Sequence, residues 1–123
     1  MTTGIIVFAH GSSVPSANEG VRAVAAQMAR DGGYELVETA FLELAPPGLA
    51  QAVETIIARG AQRILVIPYF LTLGIHLQRD LPRIVEELSS IHNSVEIRVA
   101  PPFDGHTALS RILLDRVREM LRS

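Results

Sequence analysis

Four short apolar runs alternate along the chain with four longer segments of helical periodicity, and this alternation restricts the fold more than any other feature. The runs begin near Gly4, Tyr34, Arg63 and Val95. Such runs are typical of strands buried on both faces of a parallel sheet, and strand–helix alternation gives a sheet that helices cover on both faces. The sequence therefore predicts one α/β domain over residues 1–123. We expect a three-layer sandwich with a four-stranded, doubly wound, flavodoxin-like parallel sheet in the order 2-1-3-4.

The boundaries of the predicted elements follow from where each pattern starts and stops. Strands are predicted at Gly4–Ala9, Tyr34–Leu42, Arg63–Ile67 and Val95–Val99. Helices are predicted at Pro15–Arg30, at Pro47–Arg59, from about Asp80 onward, and at Thr107–Leu121. Asp80 is suited to an N-cap, and Pro82 is tolerated in a first turn, where N–H groups have no helical partner. A loop from Pro68 to Arg79 then follows the third strand.

Each predicted helix has an apolar stripe that is expected to face the sheet. In the first helix the stripe consists of Val21, Val24, Ala25 and Met28. In the last helix it consists of Leu109, Ile112, Leu113, Val117 and Met120. Burial of these stripes would complete the two outer layers of the sandwich.

Composition excludes several classes of function. The chain has no cysteine, so disulfides, iron–sulfur clusters, Cys-ligated zinc and thiol nucleophiles are excluded. A net charge of −2 argues against nucleic acid as the main partner. The N-terminus has no basic region typical of a signal peptide, and no apolar run approaches the ~20 residues that span a bilayer. We therefore expect a cytoplasmic protein that binds neither nucleic acid nor membrane.

Three side chains with catalytic or ligand chemistry follow three strands of the predicted sheet. His10 follows the first strand, Glu43 the second, and His76 lies in the loop after the third. Carboxyl ends of parallel strands meet at one edge, and the two strands that flank strand one lie ~10 Å apart. Two imidazoles and a carboxylate suit Co²⁺, Ni²⁺, Fe²⁺ or Zn²⁺, and they also suit proton transfer near neutral pH. The sequence predicts that the three converge on one small site.

Each of these residues also has an ordinary structural interpretation. A histidine after a strand or in a loop is often simply solvated, and Glu43 between two leucines fits a solvated turn. Their joint placement at one edge favours a functional role. His92 falls at the opposite edge and is expected to be solvated, whereas His106 opens the last helix at the functional edge and is a weaker candidate for ligand contact.

Two loops at this edge have further features. The segment from Tyr69 to Leu77 is too apolar for an ordinary surface loop, so it covers the core, binds a flat apolar ligand or contacts a second subunit. The glycine and two serines after His10 resemble a simple anion cradle. A nucleotide site is not indicated, because the chain has neither GxGxxG nor GxxxxGK[ST].

Three ordered motifs resemble the small class II chelatases of the CbiX/SirB sirohydrochlorin chelatase family over essentially the full chain. The first, HGS-x-x-P-x-AN, comprises His10-Gly11-Ser12, Pro15, Ala17 and Asn18. The second, AFLE-x-A-x-P, comprises Ala40-Phe41-Leu42-Glu43, Ala45 and Pro47. The third and most specific, P-x-F-L-x-x-G-x-H-x-x-x-D-[IL]-P, comprises Pro68, Phe70, Leu71, Gly74, His76, Asp80, Leu81 and Pro82.

The resemblance implies insertion of a divalent metal into sirohydrochlorin with release of two protons, in cobalamin or siroheme biosynthesis. His10 and His76 correspond to the family's paired active-site histidines, and Glu43 corresponds to its acidic residue. The metal, Co²⁺, Fe²⁺ or Ni²⁺, is then a substrate, and no cofactor is permanently bound. A chain with four strands corresponds to half of a bilobal chelatase, which a homodimer would complete.

Further residues at this edge are expected to contact the tetrapyrrole, namely Ser12, Ser13, Phe70, Leu71, Gly74, Arg79 and Arg83. The two arginines are candidates for substrate carboxylates because the protein is slightly acidic overall, although a solvated role is the alternative for either. Ser13 and Val14 stand where many relatives have Arg and Asp, and Gln78 replaces a frequent basic residue. The resemblance therefore leaves the recognition of carboxylates open.

Other functions remain as alternatives to the chelatase. A histidine-based phosphotransfer enzyme would use His10 as the nucleophile, but no arginines cluster beside it in the sequence. A tetrapyrrole or metal carrier would use the same ligands without turnover. A half-domain that only dimerises would use none of them.

Overall fold

Four parallel strands form one sheet in the order β2-β1-β3-β4. The computed structural model describes residues 1–122. The strands are β1 (Thr3–Ala9), β2 (Val37–Phe41), β3 (Arg63–Pro68) and β4 (Glu96–Val99). The helices are α1 (Pro15–Gly32), α2 (Leu49–Ala58), α3 (Ile75–Ile91) and α4 (Ala108–Arg122). This order and the parallel pairing confirm the predicted fold class and topology.

The main core lies on the face of the sheet that α2 and α3 cover. Alternate residues of a strand point to opposite faces, so Ile6 and Phe8 of β1 enter this core while Ile5 and Val7 face α1. Both faces of the central strand β1 are therefore buried. The helical members of the main core are Leu49, Ala52, Val53, Ile56, Leu77, Leu81, Val85 and Leu88.

Helix α1 covers the β1–β2 half of the opposite face, but its buried residues differ from the prediction. Ala25 is buried as expected, whereas Val24 is 47% exposed. The second buried residue is Asn18, seven positions before Ala25 and on the same face of the helix. The helix ends at Gly33, whose φ of 71° lets its N–H donate to the carbonyls of Ala29 and Arg30.

Helix α3 begins at Ile75, five residues earlier than predicted. The N-cap position is Gly74, and Asp80 lies in the second turn rather than at the cap. Pro82 therefore lies inside the helix, where its missing N–H removes a backbone hydrogen bond. The helix continues through it because Leu77, Leu81, Val85 and Leu88 bury one continuous face in the core.

The predicted burial of the α4 stripe is wrong. No residue of α4 is buried, and Ile112, Leu113 and Val117 are 52%, 67% and 53% exposed. The β3–β4 half of the face that α1 shares is correspondingly open. On this face of the sheet, a helix therefore covers the β1–β2 half but not the β3–β4 half. None of the helices within residues 1–122 is long and apolar enough to span a bilayer.

Candidate functional site

Backbone pairing beyond the strand ends places His10 beside Glu43. Strands β1 and β2 are in register with Ala9 opposite Phe41. The ladder continues past both strands, since the Leu42 N–H donates to the Ala9 carbonyl at 2.9 Å and the Glu43 N–H donates to the His10 carbonyl at 3.1 Å. The His10 Nε2 atom then lies 3.5 Å from Glu43 Oε1. The main chain therefore fixes this pair even though both side chains are more than half exposed.

Gly11 makes this close approach possible. Its φ of 92° is in the region that L side chains rarely adopt. A Cβ at this position would overlap the carbonyl oxygen of Glu43. The sequence suggested Gly11 only as part of an anion cradle, whereas its role in the structure is to let two loop backbones touch.

The Asn18 side chain holds the loop after His10 in place through hydrogen bonds, although the sequence analysis did not identify Asn18 as a site residue. Its side chain accepts a hydrogen bond from the Ser12 N–H at 3.0 Å and donates to the Ser12 carbonyl at 2.8 Å. The Ser12 hydroxyl in turn accepts from the Val14 N–H at 3.0 Å. These bonds occupy two N–H groups of the expected anion cradle, while Ser13 is exposed. A polar residue on the buried stripe of a helix was the available sequence signal.

His10 and His76 line the same hollow at the carboxyl edge of the sheet. His76 lies in the first turn of α3, not in a loop as predicted. The hollow has a volume of about 310 Å³, and its other lining residues are Leu42, Gly74, Ile75, Leu77, Asp80 and Ile84. Its wall is therefore mainly aliphatic, with two imidazoles and one carboxylate.

An aromatic pair supports the His10 side of the site. Phe70 packs on the buried Phe8 ring with centroids 5.9 Å apart, and it meets the His10 imidazole edge-on at 6.5 Å. Leu71, the next residue, is 62% exposed, and its carbonyl accepts a hydrogen bond from the Asp104 N–H. Phe70 thus limits the movement of the imidazole, whereas Leu71 presents an apolar side chain to solvent.

The Asp80 carboxylate binds the two candidate arginines, Arg79 and Arg83, near His76. One oxygen of Asp80 accepts hydrogen bonds from Arg79 Nε and Arg83 Nη2, both at 3.0 Å. The hydrogen bond from Arg79 lowers the pKa of Asp80 below its usual value, and the charges of Arg79, Arg83 and His76 act in the same direction. Arg79 Nη2 also approaches His76 Nδ1 at 3.5 Å. Both guanidinium groups are mostly exposed and can reach a ligand.

The site is not a preformed metal centre. Within residues 1–122, no three His, Asp or Glu side chains are grouped closely enough to hold a metal ion. The structure pairs His10 with Glu43 and places His10 and His76 around one hollow, but it does not gather all three as the sequence predicted.

The other two histidines, His92 and His106, do not line this hollow. The His106 Nδ1 atom accepts a hydrogen bond from the Ala108 N–H at 3.0 Å and so caps α4. His92 ends α3 and is half-buried rather than fully solvated. A larger hollow of about 690 Å³ lies between α3 and β4, but no histidine lines it. The smaller hollow is therefore the better candidate, because it contains the reactive groups.

The sequence matches the CbiX family model over residues 4–120. The chain belongs to the CbiX family. It is 31% identical over 119 residues to the sirohydrochlorin cobaltochelatase of Priestia megaterium, covering 97% of this chain and 39% of that protein. It is 30% identical over 122 residues to the sirohydrochlorin cobaltochelatase of Saccharolobus islandicus (strain L.S.2.15 / Lassen #1), covering 94% of each.

A solved structure supports the same assignment. The crystal structure of a CbiX protein from Marinobacter aquaeolei VT8 matches with a TM-score of 0.85 and 34% identity, covering 98% of this chain and 99% of that one. This CbiX chain therefore spans well under half of the Priestia protein but nearly all of the Saccharolobus and Marinobacter chains. The family thus includes chains of this length and longer ones.

Proposed function

We propose that this chain, as a single domain, inserts a divalent metal ion into sirohydrochlorin. The observation that carries the proposal is that His10 and His76 line one aliphatic hollow at the carboxyl edge of the sheet. Imidazole binds borderline divalent ions and also accepts protons near neutral pH. The activity named for the relatives of similar length requires both properties. The metal is a substrate of this reaction, and cobalt is the first ion to test because the relatives of similar length are named sirohydrochlorin cobaltochelatases.

His10 is the residue best prepared to accept a proton. Its Nδ1 lies 3.0 Å from the Gly11 carbonyl, which favours the tautomer with the proton on Nδ1. Nε2 then has a free lone pair for the ion or for a pyrrole proton. Once Nε2 is protonated, the Glu43 carboxylate 3.5 Å away stabilises the cation and offers a route for the proton to solvent.

His76 is the partner whose availability depends on Arg79. In neutral His76, Nδ1 faces the Arg79 guanidinium and acts as the acceptor. Ion binding at Nδ1 requires Arg79 to move away, and a substrate carboxylate is a stronger acceptor that would draw it off. Binding of the macrocycle would therefore free His76 at the moment when the ion is needed.

Recognition of the tetrapyrrole would combine the apolar wall with the two arginines. Arg79 and Arg83 are exposed and would pair with substrate carboxylates. Contacts from Ser12, Ser13, Phe70, Leu71 and Gly74 stay predictions. We also propose that two copies form a homodimer whose cleft holds the macrocycle. We further propose that the protein works in the cytoplasm and that Fe²⁺ and Ni²⁺ are the alternative metals.

A spectroscopic assay separates the candidate functions. Protein, sirohydrochlorin and Co²⁺ are mixed, and the visible spectrum is followed against a mixture without protein. Conversion of many equivalents per protein supports the chelatase, whereas a shift limited to one equivalent contradicts it and indicates a carrier. No change above the protein-free rate contradicts both. Because protons compete with the ion for imidazole nitrogen, the rate should fall as the solution is made more acidic.

A further inference from the structure

The neutral His10 imidazole has one ring proton and two acceptors that compete for it. The Nδ1 atom lies 3.0 Å from the Gly11 carbonyl oxygen, and the Nε2 atom lies 3.5 Å from Glu43 Oε1. A carbonyl and an ionised carboxylate have no proton to donate, so each contact needs the proton on the histidine nitrogen. Only a proton on Nδ1 leaves Nε2 with a lone pair for an ion or a pyrrole proton.

The surroundings of Nε2 favour the opposite tautomer. In free histidine the neutral ring prefers the proton on Nε2, and the negative charge of Glu43 beside Nε2 acts in the same direction. The hydrogen bond that one ring nitrogen makes decides which nitrogen is protonated. The Gly11 carbonyl must therefore be a strong acceptor if Nδ1 is to keep the proton.

The Gly11 carbonyl belongs to the same peptide group as the Ser12 N–H, and that N–H donates to Asn18. The distance from the Ser12 nitrogen to Asn18 Oδ1 is 3.0 Å. Hydrogen bonds in a chain polarise one another, and the peptide group is a conjugated unit, so donation by the N–H makes the carbonyl oxygen a stronger acceptor. A continuous chain of hydrogen bonds therefore connects the His10 imidazole to the Asn18 side chain.

The Asn18 amide is fixed in the orientation that this chain requires. Asn18 is only 7% exposed and lies at the start of α1. Its Nδ2 donates to the Ser12 carbonyl at 2.8 Å, which leaves Oδ1 directed at the Ser12 N–H. The Val14 N–H donates to the Ser12 hydroxyl at 3.0 Å and holds the loop from the other side. The peptide group beside His10 is thus held in one orientation.

We propose that Asn18 is a positioning residue that acts through the Gly11–Ser12 peptide group to hold the His10 proton on Nδ1. The consequence for metal insertion rests on the proposed function, whereas the place of the proton is a property of the protein alone. A backbone carbonyl commonly holds the ring proton of a histidine that binds metal, and loss of such support lowers metal affinity or activity by about 10- to 100-fold. Here the carbonyl itself is supported by a side chain of α1.

Nitrogen-15 NMR of the imidazole rings tests the position of the proton in the natural protein without added metal. Spectra are recorded at about pH 9, where imidazole in water is neutral, and the His10 signals are identified by their loss in His10→Ala. We expect a protonated Nδ1 and an unprotonated Nε2. His106 is an internal reference for the opposite tautomer, because its Nδ1 accepts a hydrogen bond from the Ala108 N–H. A His10 proton on Nε2 would overturn the proposal.

Two variants separate the acceptor role of Asn18 from its role in stability. Asn18→Leu keeps the approximate size but removes both hydrogen bonds, so the His10 proton should move to Nε2 and kcat for cobalt insertion should fall by about 10-fold, with KM for sirohydrochlorin nearly unchanged. Asn18→Asp keeps an oxygen for the Ser12 N–H, but its carboxylate cannot donate to the Ser12 carbonyl. It should lower the melting temperature while the tautomer and kcat stay close to those of the natural protein.

Gln27→Leu is the matched control, since it removes an exposed amide of α1 that hydrogen-bonds Asp31 and Arg30. This change should alter neither the His10 tautomer nor the rate. Circular dichroism and melting temperatures check the fold of all three variants. The His106 signals should be the same in each of them.

The outcomes distinguish tautomer control from a purely structural role. If Asn18→Leu is less stable but keeps the His10 proton on Nδ1, Asn18 only holds the loop and the proposal is overturned. If Asn18→Asp moves the proton as far as Asn18→Leu, the bond to the Ser12 N–H does not carry the effect and the proposal is also overturned. If Asn18→Leu does not fold, the natural protein and Asn18→Asp still decide. A natural protein with the expected tautomers but without metal insertion would support tautomer control and contradict only the proposed function.

Discussion

His10 lies at the end of a central strand, whereas His76 lies in the exposed first turn of a helix. Around His10, the backbone ladder, the Phe70 ring and Glu43 all restrict the imidazole. The side-chain contact found for His76 is the one to Arg79, at 3.5 Å. One half of the site is thus set by the fold, and the other half can respond to a ligand. Site-directed changes at the two histidines, at Gly11, at Glu43 and at Arg79 can test this difference.

Removal of either imidazole should have the largest effect. We expect His76→Ala and His10→Ala each to lower the rate of cobalt insertion by about 100-fold or more. Each change would remove a ligand of the ion and an acceptor for pyrrole protons. The exposed His76 should be replaceable without loss of thermal stability. His92→Ala, at the opposite edge of the sheet, is the control for loss of a histidine. A His76→Ala enzyme with undiminished turnover would show that the ion enters elsewhere.

Gly11→Ala should selectively disturb the His10 half of the site, which the fold holds in place. A Cβ at φ 92° costs about 1–2 kcal/mol, and the overlap with the Glu43 carbonyl would push His10 away from its partner. We expect a lower melting temperature together with a fall in rate of roughly 10- to 100-fold. Gly48→Ala is the matched control, because φ there is −76° and a Cβ would meet nothing within 4 Å. Equal effects of the two changes would contradict the role assigned to Gly11.

Glu43→Gln should reduce the rate moderately. The glutamine keeps the shape of the side chain but removes the negative charge beside His10. Because the pair is more than half exposed, we expect an effect of about 1 kcal/mol, roughly fivefold in kcat, with KM for sirohydrochlorin nearly unchanged. Glu54→Gln on the exposed side of α2 serves as the control. A change in KM alone would place Glu43 in substrate binding instead.

Arg79→Gln should have the smallest effect on the rate. It should act on the His76 half of the site, which can respond to a ligand. Loss of an exposed guanidinium should raise KM for sirohydrochlorin by a few-fold, and added salt should weaken binding less than in the natural protein. Arg30→Gln, at the other end of the molecule, is the charge-matched control. If Arg79→Gln left both KM and its salt dependence unchanged, Arg79 would have no part in carboxylate recognition.

The site itself was only partly predictable from the residues. The motifs identified His10, Glu43 and His76 because strand ends in a parallel sheet share an edge. They did not reveal that Glu43 contacts His10 while His76 lies across the hollow, because such pairing depends on side-chain directions. Asn18 was visible in the first motif, but its role required the two hydrogen bonds to Ser12.

The sequence by itself predicted four strands that alternate with four helices, because apolar runs and helical periodicity reflect local burial. The order 2-1-3-4 followed from the usual arrangement of doubly wound sheets, and the structure has that order. The sequence misplaced the start of α3, since local rules for proline and Asp80 favoured a later start than core packing allows. It also predicted burial for the α4 stripe, because periodicity shows that a helix has an apolar side but not which surface covers it. Only the tertiary structure decided these points, and the physical reason is that burial depends on contacts between segments far apart in the chain.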